Sequence, residues 1–131
     1  MLDHITLTAS DLARSKAFYD AALAPLGIQV LWPSDPDAIA YGYGETGTRK
    51  PYFWLAEGGA TTDRLHVAFT ASTRAAVDAF YRAALSAGGR DNGPPGLRLQ
   101  YHPGYYGAFV FDPDGLNIEA VCHGAESTSP V

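Results

Sequence analysis

Three residues of this 131-residue chain have the types and the placement of a metal-ligand set. His4 and His66 each begin a short segment of alternating polar and apolar residues, and Glu119 lies within a third. Because side chains alternate between the two faces of a β-strand, all three are predicted to point away from the helix-covered side of their strands. Two imidazoles and one carboxylate bind divalent metals with coordination positions left open. The sequence therefore predicts a metal site if the two halves of the chain come together.

An internal repeat explains why the two histidines occupy equivalent positions. When residues 4–27 and 66–89 are aligned without gaps, twelve of the 24 pairs are identical, among them His4/His66, Phe18/Phe80 and Tyr19/Tyr81. Such self-similarity is typical of a duplicated structural unit. The chain is predicted to contain two modules, at about 1–57 and 64–123, with a linker at 58–63 and a polar tail at 124–131.

Each module is predicted to fold as βαβββ, which places the chain in the α+β class. Helices are expected at about 11–24 and 73–87, with Ser10 and Ser72 as N-caps and Gly27 and Gly88 as C-terminal breakers. Strands are expected at about 4–8, 28–32, 38–43, 52–57, 66–70, 89–92, 97–101 or a little longer, 106–112 and 117–123, which is one strand more in the second module than βαβββ contains. Asp112 to Gly115 (DPDG) is predicted to be the turn of the last hairpin and nothing more.

A loop rich in rings, Tyr101 to Tyr106, leads into the strand predicted to pair with that of Glu119. We predict that Tyr101, Tyr105 and Tyr106, together with Trp54, contact substrate. We also predict that His102 is the catalytic residue and transfers a proton, since an imidazole titrates near neutral pH. In the alternative interpretation the loop makes a subunit contact, the aromatic residues belong to the core, and His102 satisfies a backbone carbonyl.

Composition limits the classes of partner. The net charge is −5, with 9 Lys plus Arg against 14 Asp plus Glu and no basic run, so no nucleic-acid binding is expected. The sequence has no 18-residue apolar run and no basic start before an apolar segment, so we expect a cytoplasmic protein that does not span a membrane. A single cysteine, Cys122, excludes an internal disulfide and a cysteine-rich zinc site.

These motifs together resemble the vicinal oxygen chelate superfamily of glyoxalase I, extradiol dioxygenases, fosfomycin-resistance enzymes and bleomycin-resistance proteins. The resemblance rests on the segments that begin at His4 and His66, on Phe18-Tyr19, and on the run from Asp112 to Glu119. It implies that the paired modules form an open, partly closed β-barrel. It also implies a divalent metal (Fe, Mn, Zn, Ni or Co) held by His4, His66 and Glu119, and a homodimer, because members of this length often build each site from two chains.

The sequence departs from the individual branches of this superfamily. Glyoxalase I enzymes use a fourth ligand, a Glu in the last strand of the first module, where this chain offers either Trp54 or Glu57. The tyrosine of the extradiol signature is replaced by Phe109, and no Lys/Arg cluster marks a phosphonate site.

The resemblance therefore implies a glyoxalase-like metalloenzyme that chelates vicinal oxygens of a small-molecule substrate. Isomerase, lyase, transferase and dioxygenase chemistry all stay open. The alternatives are a binding protein of the bleomycin-resistance kind without catalysis, whose acidic surface would suit a cationic ligand, and a member whose metal is only structural.

Overall fold

The computed structural model describes residues 1–61 and 65–124, and both halves of that part of the chain follow the predicted βαβββ order. The first half contains β1 (Ile5–Ala9), α1 (Leu12–Leu23), a short 3₁₀ helix (Ala24–Leu26), β2 (Ile28–Trp32), β3 (Ala40–Glu45) and β4 (Phe53–Glu57). The second contains β5 (His66–Thr70), α2 (Arg74–Ser86), β6 (Arg90–Leu97), β7 (Tyr106–Phe111) and β8 (Asn117–Cys122). Part of the predicted linker, the start of the second module and most of the polar tail, at 62–64 and 125–131, lie outside the described residues.

Each module forms its own four-stranded sheet. The strand orders are β1-β4-β3-β2 and β5-β8-β7-β6, so the two sheets have the same topology. In each sheet the first strand is parallel to the last strand of its module, and the other pairs are antiparallel. The predicted α+β fold of two related modules is confirmed, and the two sheets are not closed into a barrel.

The two sheets share one hydrophobic core, which α1 and α2 fill by packing against each other. Phe18 of α1 and Phe80 of α2, equivalent in the repeat, are both fully buried there. The rings of Phe53 and Phe69 join the two sheets, with centroids 5.3 Å apart. The alternate residues of each sheet lie on the opposite side, which we call its helix-free face. Neither helix of the described chain is long and apolar enough to cross a membrane.

The helix N-caps differ from the prediction by one residue each. Asp11 caps α1 by accepting a hydrogen bond from the backbone nitrogen of Arg14, and Thr73 caps α2 in the same way. Ser10 instead binds Asp114 of the second module, through its hydroxyl and through its backbone nitrogen at 3.0 Å. The DPDG segment is therefore more than a hairpin turn, because it also ties the second module to the start of α1.

The strand predicted at 97–101 is wrong. The observed strand β6 ends at Leu97, and residues 99–101 form a turn. β6 instead includes the Gly-Pro-Pro-Gly run at 93–96. Proline lacks a backbone N–H, but an edge strand tolerates this loss, and β6 is an edge strand whose pairing with β7 is irregular on either side of Gly93.

Candidate metal site

The parallel pairing of β5 with β8 brings His66 and Glu119 together on the helix-free face of the second sheet. His66 pairs with Asn117 and Ala68 pairs with Glu119, so that the two predicted ligands lie diagonally across the strands. Nε2 of His66 donates to Oε1 of Glu119 over 2.8 Å. The Glu119 side chain is only 2% exposed, whereas that of His66 is 41% exposed. Because a buried carboxylate is costly without partners, this site needs hydrogen bonds or a cation.

The second oxygen of Glu119 accepts a hydrogen bond from the hydroxyl of Tyr105. Burial raises the pKa of Tyr105, and the bond to Glu119 and its negative charge raise it further, so the phenol stays protonated and donates. Gly107 leaves room for this contact. A Cβ at Gly107 would lie 3.2 Å from Oε2 of Glu119 and 3.2 Å from Cε1 of Tyr105.

The other nitrogen of His66 contacts a pair of amides. Nδ2 of Asn117 lies 2.7 Å from Nδ1 of His66, and Nδ2 of Asn92 lies 3.2 Å from Oδ1 of Asn117. Turning both amide planes by 180° reverses these hydrogen bonds without moving the residues. His66 would then donate from Nδ1 to Asn117 and present the lone pair of Nε2, which is the tautomer that a metal ligand requires.

His4 lies just before β1 and makes a similar outer contact. Its Nδ1 donates to Oδ1 of Asp3 over 2.6 Å, and the same oxygen accepts from Nζ of Lys50 over 2.8 Å. The hydrogen bond from Lys50, followed by that from His4, lowers the pKa of Asp3. A carboxylate on one nitrogen of an imidazole leaves the other, here Nε2, available as a metal ligand.

The single chain brings together two of the three predicted ligands. His4 has a side chain that is 53% exposed and lines a cleft with Val67, Ala68 and Phe69. Within residues 1–61 and 65–124, no three His, Cys, Asp or Glu side chains are grouped to hold a metal ion. The donor types of His66 and Glu119, an imidazole and a buried carboxylate, fit a divalent metal and leave room for a further ligand.

The strand register shows which residue takes the position of the fourth glyoxalase ligand. Trp54 pairs with Thr6 in the first sheet, as Glu119 pairs with Ala68 in the second, and Thr6 and Ala68 are equivalent in the repeat. Trp54 is therefore the counterpart of Glu119. Glu57 pairs with Ala9 and lines a groove beside α1, on the other side of the sheet.

Trp54 packs over Gly42 of the first sheet, beside a second indole. A Cβ at Gly42 would come within 2.8 Å of its ring, so glycine is needed beneath it. Its ring centroid is 6.0 Å from that of Trp32, and both indoles line a cleft of about 410 Å³ with Leu31, Thr48, Arg49 and Pro51. The cleft is on the same helix-free face as Thr6.

The predicted substrate loop is divided between the two faces of the sheet. Tyr105 reaches Glu119, and the exposed ring of Tyr101 packs on Tyr105 with centroids 4.8 Å apart. Tyr106 points to the opposite side, where its hydroxyl donates to Asp78 over 2.7 Å and the guanidinium of Arg74 lies over its ring. Tyr106 therefore does not share the face of Glu119, because neighbouring residues of a strand point to opposite faces.

His102 lies beside Tyr105 and uses both of its ring nitrogens. Nδ1 accepts from the backbone nitrogen of Gly104 over 3.1 Å, and Nε2 lies 2.9 Å from Nδ1 of His123. Since Nδ1 accepts, Nε2 carries the proton and donates to His123. The rings of His102 and Tyr105 meet edge to face, 5.4 Å apart. Tyr105 thus connects His102 to Glu119.

The sequence interpretation missed several residues of the site. Asn117 was detectable, since it lies two residues before Glu119 in the same strand and so shares its face. Phe109 is paired with Glu119, and its ring lies 6.0 Å from that of His66 and 5.3 Å from the guanidinium of Arg98. Arg98 gave no sequence signal, because it fell within the strand wrongly predicted at 97–101.

A family model described as the Glyoxalase/Bleomycin resistance protein/Dioxygenase superfamily matches residues 1–120. The chain belongs to this superfamily. A solved glyoxalase/bleomycin resistance protein of the superfamily, from Albidiferax ferrireducens, is 31% identical, with a TM-score of 0.74 over 92% of this chain and 96% of that chain. The resemblance inferred from the sequence motifs is thereby confirmed.

Two further solved structures have lower sequence identity to this chain, and their similarity supports the fold and nothing more. A variant of the fosfomycin resistance protein FosX from Listeria monocytogenes, solved with Mn(II) and 1S,2S-dihydroxypropylphosphonic acid, is 20% identical, with a TM-score of 0.66 over 95% of this chain and 92% of that chain. A glyoxalase I variant from Zea mays is 22% identical, with a TM-score of 0.63 over 92% of this chain and 46% of that chain. A comparison with curated proteins gives no match.

Proposed function

We propose that this protein is a metalloenzyme that chelates vicinal oxygens of a small-molecule substrate on a divalent metal, Fe, Mn, Zn, Ni or Co. The observation that carries the proposal is the contact of Glu119 with His66 on the helix-free face. A carboxylate only 2% exposed lies 2.8 Å from an imidazole nitrogen, on a face that no helix of the described chain covers.

Each of the three proposed ligands has an outer partner, and this supports a role in metal binding. Asp3 contacts His4, Asn117 contacts His66, and Tyr105 contacts Glu119, all through hydrogen bonds. Partners of this kind fix the tautomer of a ligating histidine and the orientation of a ligating carboxylate.

We infer that the complete site forms between two copies of the chain. In a homodimer, His4 of one copy would meet the partner subunit's His66 and the partner subunit's Glu119. This arrangement is supported by the shared core, because both sheets turn their helix-covered faces inward and leave the two half-sites on outward faces. Exposed apolar side chains, including Trp32 at 61%, add area that a second copy would cover.

If His66, Glu119 and the partner subunit's His4 held a divalent metal, it would polarise the oxygens bound to it and stabilise negative charge on them. The chain's own residues orient the ligands and supply the surroundings. Phe109 lies next to His66, and Arg98 places a positive charge on the same face. Isomerase, lyase, transferase and dioxygenase reactions of the superfamily share this chelation step.

The cleft between Trp32 and Trp54 favours a second candidate function, a small-molecule binding protein without catalysis. The first module has an indole at the position where a fourth ligand would lie, and the cleft beside it is lined largely by apolar groups. These are the only two tryptophans of the sequence, so intrinsic fluorescence reports directly on the cleft. Quenching by a ligand in the metal-free protein, with no metal uptake in any preparation, would favour this function.

The test of the first proposal is metal content and subunit mixing. Protein purified without a chelating tag is analysed for metals, stripped, and titrated calorimetrically with Mn²⁺, Zn²⁺, Ni²⁺ and Co²⁺. Wild type should bind one metal per chain, and His4→Ala and Glu119→Ala should each bind none. Mixed dimers of these two variants, isolated by two different tags, are then titrated.

The mixed dimer separates a shared site from a site within one chain. If the site is shared, Glu119→Ala supplies an intact His4 to the intact His66 and Glu119 of its partner, and one metal binds per dimer. If each site lies within one chain, every site in the mixed dimer is broken and none binds. The metalloenzyme proposal is wrong if the wild-type protein binds no divalent metal.

A further inference from the structure

We propose that Tyr105 is a positioning residue that holds the carboxylate of Glu119 in the orientation for metal binding, and that the His102–His123 pair holds Tyr105. This inference rests on the proposed metal site. It assigns His102 a different role from the proton transfer expected from the sequence, since His102 would act through Tyr105.

The contacts at Glu119 define the orientation. Tyr105 donates to Oε2, and Oε1 is the oxygen that faces Nε2 of His66. A carboxylate held at one oxygen by a neutral donor has the other oxygen free to bind a cation, and it cannot rotate without losing that bond. Gly107 permits the approach, because a side chain there would crowd both Oε2 and the Tyr105 ring. Oε1 of Glu119, which accepts from His66 in this structure, is therefore the oxygen that would bind the metal.

The Tyr105 ring is held on several sides. Ring centroids lie 4.8 Å away for Tyr101, 5.4 Å for His102 and 5.3 Å for His123, the last two in edge-to-face contact. The backbone of Tyr105 is also fixed, with its nitrogen donating to the carbonyl of His102 over 3.1 Å and its carbonyl accepting from Arg98 over 2.8 Å. Such packing limits the ring to one rotamer and so determines where its hydroxyl lies.

The two histidines that contact the Tyr105 ring come from segments far apart in the chain. His102 is in the loop after β6, and His123 follows β8, yet their rings stack with an interplanar angle of 25° and share a hydrogen bond of 2.9 Å. The second ring nitrogen of His102, Nδ1, accepts a hydrogen bond from the backbone nitrogen of Gly104. With both nitrogens engaged, His102 joins the loop to the end of the strand that carries Glu119.

The test measures metal affinity in variants that remove one contact each. Tyr105→Phe deletes the hydroxyl and keeps the ring, and we expect metal affinity to fall about tenfold, as is typical when the outer partner of a metal ligand is lost. Tyr81→Phe is the matched control. It deletes a phenol that donates to the carboxylate of Asp91 over 3.0 Å on the far side of the same module, and it should leave the affinity unchanged.

The role of His102 is tested by combining substitutions and by spectroscopy. His102→Ala should lower metal affinity severalfold, and in the Tyr105→Phe background it should cause no further loss, because it acts only through Tyr105. The visible absorption spectrum of the Co²⁺-loaded protein should change in Tyr105→Phe and in His102→Ala and remain unchanged in Tyr81→Phe. A merely structural role would lower the melting temperature and leave the spectrum of bound Co²⁺ as it is.

The outcomes separate this inference from the proposed function. If wild type binds metal and Tyr105→Phe binds it equally well with the same Co²⁺ spectrum, the positioning role is wrong and the metal site stands. If His102→Ala keeps full metal affinity and the Co²⁺ spectrum of wild type, the positioning role of His102 is wrong. If wild type binds no metal, both the proposed function and this inference are wrong.

Discussion

The two sheets have one topology and carry different chemistry at the same position. Trp54 pairs with Thr6, and Glu119 pairs with Ala68, at equivalent points of the two modules. The indole lies over Gly42 and beside Trp32, whereas the carboxylate lies between His66 and Tyr105. One module thus presents an apolar cleft and a single histidine, and the other presents a polar half-site.

This contrast shows that two modules of the same topology can differ in the chemistry of their helix-free faces. The equivalent helix residues Phe18 and Phe80 are both fully buried, because both helices serve one shared core. His4 and His66, which begin the two modules, are identical as well. The difference between the two half-sites therefore lies in the last strand of each sheet, which carries Trp54 in one module and Glu119 in the other.

The largest expected effect separates Glu119 from its counterpart Trp54. Glu119→Gln should lower divalent metal affinity at least about 100-fold, since the amide keeps the shape and loses the charge. Trp54→Phe should leave metal affinity within about twofold, because an indole supplies no ligand atom. Calorimetric titration with Mn²⁺ or Zn²⁺ checks both, and a comparable loss in the two variants would contradict the division between the modules.

A second prediction concerns the support beneath Trp54. Gly42→Ala should destabilise the protein by about 2 kcal/mol, because its Cβ would meet the indole and Cβ of Pro51 at 2.8 Å and force both to move. Gly124→Ala, where no atom of residues 1–61 and 65–124 lies within 4 Å of the new Cβ, is the control and should be neutral. Urea unfolding gives both free energies. Equal stability of the two variants would show that the indole has room to move.

A third prediction compares the repeat-related tyrosines of the two helices. Tyr19 is fully buried, and its hydroxyl donates to Asp112 of the other module over 2.6 Å, whereas Tyr81 donates to Asp91 within its own module. Tyr19→Phe should cost about 1–3 kcal/mol, as for a buried hydrogen bond to a charged group. Tyr81→Phe should cost less than about 0.5 kcal/mol, because its hydrogen bond to Asp91 is exposed. Urea unfolding of both variants measures these losses of stability, and equal losses would argue against an inter-module role for Tyr19.

The smallest effect is a dependence of stability on alkaline pH. Burial, followed by the charge of Asp112, raises the pKa of Tyr19 well above the ordinary value of 10.0. The folded state then keeps a proton that the unfolded state loses, so the contribution is complete below about pH 10 and is lost as the pH rises further. Between pH 9 and 11 the unfolding free energy of wild type should fall by about 1 kcal/mol more than that of Tyr19→Phe. If the unfolding free energies of wild type and Tyr19→Phe fall in parallel over this pH range, the prediction is wrong.

Local patterns in the sequence were sufficient for much of the fold. Alternating polarity from His4 and His66 and helical spacing around Phe18 and Phe80 predicted strands and helices, because these signals depend only on near neighbours in the chain. The repeat between the two halves then predicted that the βαβββ order occurs twice. The same alternation placed His66 and Glu119 on one face, where the structure brings them together. The prediction of a strand at 97–101 was wrong, because the polarity pattern of these residues did not indicate the turn at 99–101.

Other features were decided only by the tertiary structure. Ser10 meets Asp114 across 104 residues, and Tyr105 is placed at Glu119 by the pairing of β7 with β8. The position of Trp54 opposite Thr6 follows from strand register, which depends on hairpin lengths that the sequence left open between Trp54 and Glu57. The amino-acid sequence by itself determined which residues alternate and repeat. Which of them meet was determined by the way the two sheets pack around a common pair of helices, because that packing sets distances between segments far apart in the chain.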